Sequence, residues 1–90
     1  MEQAHIIISG FVQGVGFRHF VKKNAIKLGL TGWVRNTQDG KVEAIFQGEK
    51  ENIEEIIKVC KKGPFISEVK NMEVKWEEGK EKFAGFEIVI

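Results

Sequence analysis

The spacing of hydrophobic and polar positions changes several times along this chain, and each change marks an element. Residues 6 to 8 are three consecutive isoleucines, a β-branched run that predicts a strand. From Phe17 the apolar positions fall at Phe17, Phe20, Val21, Ala25 and Leu28, the spacing of one helix face, and Gly29 follows as a C-cap. Thr31 to Thr37, carrying Trp33 and Val34, predicts a second strand that ends at Gln38-Asp39-Gly40, where Asp-Gly signals a hairpin. The returning stretch Lys41 to Gln47 places Val42, Ala44 and Phe46 on one face, and Gly48 closes it.

A second helix puts Ile53, Ile56, Ile57 and Cys60 on one stripe, which buries all four, and Gly63-Pro64 stops it. In the next strand Met72, Val74 and Trp76 alternate with Asn71, Glu73 and Lys75; Val69 is out of phase with them, which predicts a bulge near Lys70. Glu77 to Lys82 reads as an exposed turn, and Phe86, Ile88 and Ile90 mark a last short strand. The order β-α-β-β-α-β plus a terminal strand predicts an α+β, ferredoxin-like split βαβ domain over residues 1–90. Its antiparallel sheet carries both helices on one face.

Composition narrows the class. Of ninety residues, 42% are hydrophobic, enough for one core without metal or disulfide staples. The single Cys60 has no partner for an internal disulfide, and no apolar run approaches the roughly 20 residues of a membrane helix. Met1 to His5 lacks the basic and apolar regions of a signal peptide, so the expectation is a cytoplasmic, non-membrane protein.

The segment Gly10-Phe11-Val12-Gln13-Gly14-Val15-Gly16-Phe17-Arg18 joins the first strand to the first helix through a loop with two glycines and ends in arginine. At a helix N-terminus the first N–H groups lack intrahelical partners and the dipole favours negative charge, so peptide groups can hold a phosphate. Glycines let successive N–H groups turn toward one point. A Gly-x-Gly pair also suits a tight strand-to-helix turn with no ligand, and it lacks the third glycine of a dinucleotide fingerprint and the Gly-Lys-Ser/Thr of a P-loop.

Charge separates these readings. The second helix opens with Glu49, Glu51, Glu54 and Glu55 and closes with Lys58, Lys61 and Lys62, neutralising its own dipole; the first has no acid in its opening turn. No Asp or Glu occurs between Glu2 and Asp39, whereas Arg18, Lys22, Lys23, Lys27 and Arg35 lie inside that gap in a chain of net charge +1. A local positive field in a near-neutral protein points to a small anion rather than a long polyanion. Lys22, Lys23 and Lys27 then read as solvated helix lysines, and nucleic acid is not expected as a partner.

Arg18, without a nearby carboxylate in sequence, is the leading phosphate clamp, because its planar guanidinium holds two oxygens at once. Asn36 closes the second strand, and in a crossover unit that strand returns beside the first, bringing Asn36 toward the loop. Two roles suit it: a turn residue leading into Asp39-Gly40, or a neutral amide that orients water beside an anion. His19 points away from Arg18 on the helix surface, and His5, His19 and a buried Cys60 make no metal-ligand set, so no metal or cofactor is expected.

These residues closely resemble acylphosphatases. The resemblance runs through residues 10 to 18, then Gly29-Leu30-Thr31-Gly32-Trp33-Val34-Arg35-Asn36, then Asp39-Gly40-Lys41-Val42-Glu43, with Gly48, Gly63-Pro64 and Phe86-Glu87-Ile88 in the expected places. It implies metal-independent hydrolysis of small acyl phosphates by a monomer. It implies that Arg18 binds the phosphate, that Gln13, Gly14, Val15, Gly16, Phe17 and Arg18 form its cradle, and that Asn36 positions the attacking water. Phe11 stands where many members carry a basic residue, and Phe65 where a second proline is common; these departures bear on rate and substrate preference. A related domain occurs in larger carbamoyl-transfer maturation proteins, and the ninety-residue length fits the free-standing enzyme. Two other functions suit the same residues: a module that senses a phosphorylated metabolite without turnover, and a nucleic-acid binder using the helix lysines.

Overall fold

Seven elements follow one another in the computed structural model, which describes residues 1–90: β1 (Glu2–Phe11), α1 (Phe17–Lys27), β2 (Thr31–Asn36), β3 (Val42–Gln47), α2 (Lys50–Lys62), β4 (Glu68–Glu78) and β5 (Phe86–Ile88). The five strands form one sheet in the order β4-β1-β3-β2-β5. All neighbours are antiparallel except β2 and β5, which pair parallel from Gly32 to Val34. The architecture is the expected ferredoxin-like sandwich, with the short terminal strand as its one parallel edge.

Alternation sorts the strands into two faces. Ala4, Ile6 and Ile8 of β1, Val42, Ala44 and Phe46 of β3, and Val34 of β2 are buried together with Phe17, Val21 and Ala25 of α1 and Ile53, Ile56, Ile57 and Cys60 of α2. Full burial of one such isoleucine is worth about 1.5–3 kcal/mol, so this face and the two helix stripes account for most of the cohesion. Phe46 stacks on Phe86 at 5.4 Å between ring centroids, fastening β5 to the same core. Cys60 lies inside it, and burial pushes its thiol pKa up to about 12.

One expected adjacency is corrected. β2 does not return beside β1, because β3 lies between them. The short turn after Asn36 obliges β3 to pair with β2, and β3 then zips along the inner edge of β1 from Ile8↔Val42 to Gln3↔Gln47. Two antiparallel steps leave β1 and β2 parallel, so their C-terminal ends still share one end of the sheet.

Local chemistry sets the element ends. α1 closes on Leu28, with Gly29 at φ 70°; the Gly29 N–H donates to Ile26 O at 3.0 Å and the Leu30 N–H to Ala25 O at 2.9 Å, the paired bonds of a Schellman stop. The bulge expected near Lys70 is present: Ser9 pairs with Asn71 and Gly10 with Val69, which leaves Lys70 as the extra residue. The β4 face carrying Met72, Val74 and Trp76 is only partly covered, since β4 is an edge strand that α2 overlies only in part; Lys50 stands 5.8 Å over the Trp76 ring.

The expected turn from Glu77 begins later, at Gly79, because Glu77 and Glu78 continue β4. The loop beyond is pinned from below. Buried Gln47 donates to Gln3 Oε1 at 2.6 Å and to the Glu81 carbonyl, accepts from the Phe83 N–H at 3.4 Å, and Gln3 donates onward to Glu77. The amide oxygens and nitrogens of Gln3 and Gln47 therefore all have partners.

Candidate active site

At the shared end of β1 and β2, cross-strand register fixes where Asn36 stands. Ile8 pairs with Val42 and Val42 with Asn36, so the three residues form one row across the sheet. Strands lie about 4.8 Å apart, which places the Asn36 backbone roughly 10 Å from β1 just before the glycine loop begins. Ile8 and Val42 are buried beneath the helices, and Asn36 shares their face. Its amide makes no hydrogen bond within the chain, and its Oδ1 is buried without a partner. A buried acceptor left unpaired costs about 1–3 kcal/mol, a cost recovered when water or a ligand supplies the proton.

The glycine loop, which follows β1 at the same end of the sheet, carries donors of its own. Gly14 and Gly16 adopt φ 75° and 78°, and a Cβ at either would meet no protein atom within 4 Å, so the requirement is for the left-handed backbone. Gly16 is the N-cap of α1, and no side chain caps the helix. The N–H groups of Gln13, Gly14, Val15, Gly16 and Phe17 donate to no other group in the chain; the first helical bond runs from Phe20 to the Gly16 carbonyl at 3.0 Å.

Side chains in the loop divide by role. Phe17 is buried in the core, edge-on to Phe20 at 6.1 Å, so only its backbone is available to a ligand. Val15 packs partly against the core, and Gly14 and Gly16 are exposed. Arg18, in the first turn of α1, is half-buried and makes no ion pair or hydrogen bond. No acidic residue occupies that turn, whereas α2 carries Glu51 in its first turn and Lys61 and Lys62 in its last. His19 is exposed.

The second arginine, Arg35, is committed. Arg35 donates through Nε to Glu43 Oε1 at 2.7 Å and lies 5.8 Å over the Trp33 ring, while His5 Nε2 meets Glu43 Oε2 at 2.5 Å. Burial raises the Glu43 carboxyl, but the hydrogen bonds from His5 and Arg35, with the Arg35 charge, outweigh it and hold its pKa below the ordinary value. Of the two arginines near the site, Arg18 alone has a free guanidinium. An open cleft beside Asn36 is lined by Arg35, Asn36, Thr37, Gln38 and Ile90.

Known proteins resemble this chain along nearly its whole length. The acylphosphatase family model matches residues 4–88. The chain belongs to the acylphosphatase family. An acylphosphatase from Pelotomaculum thermopropionicum is 44% identical over 88 residues, covering 98% of this chain and 96% of that one. The crystal structure of acylphosphatase from Bacillus subtilis superposes with a TM-score of 0.97 at 39% identity, each chain covered in full. A similar unit forms part of a longer protein: HypF from T. kodakarensis matches with a TM-score of 0.87 at 33% identity over 99% of this chain and 12% of that one. As an acylphosphatase, the protein is an enzyme of the acyl-phosphate-hydrolysing type.

Sequence reasoning assigned Gln13 to the cradle through its backbone and overlooked its side chain. Its Nε2 reaches across the sheet end to carbonyls after Asn36, a role that residue order does not advertise because the acceptors are backbone atoms. The His5–Glu43–Arg35 cluster was also missed; its only sequence signal is that Arg35, Glu43 and His5 fall on the polar face of their strands. No three His, Cys, Asp or Glu side chains converge, and no helix is long and apolar enough to cross a membrane.

Proposed function

We propose that this acylphosphatase cleaves carboxyl-phosphate mixed anhydrides by attack of water on phosphorus. In this reading the N–H groups of Gln13 through Phe17 and the Arg18 guanidinium hold the phosphate, and the Asn36 amide orients the water. The carrying observation is a coincidence of uncommitted groups at one end of the sheet: five free N–H donors, an unpaired half-buried arginine and a buried amide oxygen without a partner.

The chemistry asks little more of the protein. The water oxygen bonds to phosphorus as the bond to the carboxylate oxygen breaks, and the carboxylate leaves with the electron pair. The water's proton passes to a phosphate oxygen of the substrate, giving inorganic phosphate. A carboxylate is a good leaving group and the transition state is loose, so placement and charge stabilisation supply most of the acceleration. Arg18 and the loop provide that charge without a metal ion. Lys22, Lys23 and Lys27 are solvated side chains in this account, and the enzyme acts as a monomer on a small molecule.

Phosphate release from acetyl or benzoyl phosphate, run in ¹⁸O-water beside a phosphate monoester, tests the proposal. Rapid release from the acyl phosphates alone, with the label in phosphate, is expected. Label in the carboxylate, or binding of acyl phosphate without turnover, overturns it.

A further inference from the structure

Gln13 leaves the glycine loop toward the β2–β3 turn. Its Nε2 donates one hydrogen to the Thr37 carbonyl at 2.9 Å and the other to the Lys41 carbonyl at 2.8 Å. These two carbonyls mark the two ends of one turn, which is itself closed by the Thr37 N–H donating to Lys41 O at 2.9 Å and by the Lys41 N–H donating to Thr37 Oγ1 at 3.0 Å. Thr37 directly follows Asn36.

The loop and the Asn36 strand need such a link. β1 and β2 share no backbone bonds because β3 separates them. The Gln13 carboxamide therefore spans from the phosphate loop to the residue adjoining Asn36. Both Nε2 hydrogens are engaged, which leaves that nitrogen no hydrogen with which to bind a phosphate oxygen.

We infer that Gln13 is a positioning residue that sets the separation between the phosphate held by the loop and the water oriented by Asn36. The inference rests on the acyl-phosphate reading above. In-line attack tolerates little error, since a displacement of about 1 Å in a supporting group can cost on the order of 100-fold in rate. The phosphate cradle itself uses backbone N–H groups and Arg18, so anion affinity does not depend on this clasp.

The test uses Gln13→Met, which keeps length and removes both donors, and Gln13→Glu, which keeps the shape. For each, kcat on benzoyl phosphate and the inhibition constant of inorganic phosphate are measured beside Asn36→Ala. Gln13→Met is expected to lose about tenfold or more in kcat, with phosphate inhibition changed less than about threefold. Gln13→Glu presents a carboxylate to two carbonyl oxygens; on protonation it regains one donor, so its kcat relative to the unsubstituted enzyme should climb as pH falls.

An unchanged kcat in Gln13→Met, or loss of phosphate affinity in step with kcat, overturns the positioning role. Should Gln13→Met fail to fold, a Gln13→Glu to wild-type ratio that stays flat with pH overturns it instead. Absence of benzoyl phosphate turnover in the unsubstituted enzyme defeats the acyl-phosphate reading. Full activity in Asn36→Ala defeats the water-orienting role on which the clasp acts, whereas loss there with an unaffected Gln13→Met defeats only the clasp.

Discussion

Arg35 and Asn36 are consecutive in β2 and turn to opposite faces of the sheet: the Arg35 guanidinium is committed to Glu43 at 2.7 Å, while the Asn36 amide is committed to nothing in the chain. Strand alternation thus separates a structural ion pair from a free amide within one peptide step. The separation keeps a strong cation occupied beside the cleft and leaves a neutral amide without a partner in the chain.

Asn36→Asp distinguishes a water-orienting amide from a general base. The shapes are nearly the same, but a carboxylate repels a phosphate beside it. Near-inactivity at neutral pH is expected, with partial recovery as pH falls and the aspartate is protonated, while Asn36→Ala loses turnover but still binds inorganic phosphate. A fully active Asn36→Asp enzyme at neutral pH would falsify the water-orienting role and favour base catalysis.

Arg18→Lys keeps the charge and discards the bidentate fork. Most activity should disappear, on the order of 100-fold or more in kcat/KM, and competitive inhibition by inorganic phosphate should weaken in parallel. Phosphate affinity close to that of the unsubstituted enzyme would remove Arg18 from the anion site.

Turnover should persist after exhaustive chelation, because in the proposed mechanism the positive charge comes from a guanidinium and from backbone N–H groups. Loss of activity on chelation, restored by a divalent cation, would contradict that assignment.

Glu43 couples stability to pH. Its folded-state pKa is depressed below the ordinary value of 4.5, so its contribution is complete above that value and is lost as pH falls through the lower folded pKa. Melting temperatures of the native protein and Glu43→Gln should therefore differ at pH 6–7 and converge toward pH 3 to 4. A difference independent of pH across this range would show that the His5–Glu43–Arg35 cluster acts through packing alone.

Cys60→Ala removes a buried sulfur from the α2 stripe. A loss of roughly 1–2 kcal/mol in unfolding free energy with kcat unchanged is expected, and the native thiol should resist alkylation until the protein unfolds. A folded Cys60→Ala protein without turnover would reopen nucleophilic catalysis.

Periodicity made most of the fold legible. The Ile53-Ile56-Ile57-Cys60 stripe, the Val42-Ala44-Phe46 face and the phase break at Val69 each appear in the structure as expected, because local pattern and tertiary burial agree there. Strand order was less legible. Nothing in the first thirty-six residues reveals that β3 inserts between β1 and β2, since that choice is made by the later hairpin and by edge pairing. At the site, Gly14, Gly16, Arg18 and the absence of acid in α1 were readable as composition at one place in the chain. The Gln13 clasp was not, because its acceptors are carbonyls of Thr37 and Lys41 that carry no side-chain signature.

Insertion of β3 between β1 and β2 also governs when the site comes into being. β1 is held on one side by β3 and on the other by β4, whose pairing runs from Glu2↔Glu78 to Phe11↔Glu68. The glycine loop follows the end of β1, and the Asn36 row is anchored through β3. Closing such long-range pairs is entropically slow, while the two helices form from local contacts. During refolding, helical signal should therefore precede activity, and regain of turnover should await pairing of β3 with β1 and β2. Catalysis in this protein therefore reports on the long-range pairing of its sheet rather than on its helices.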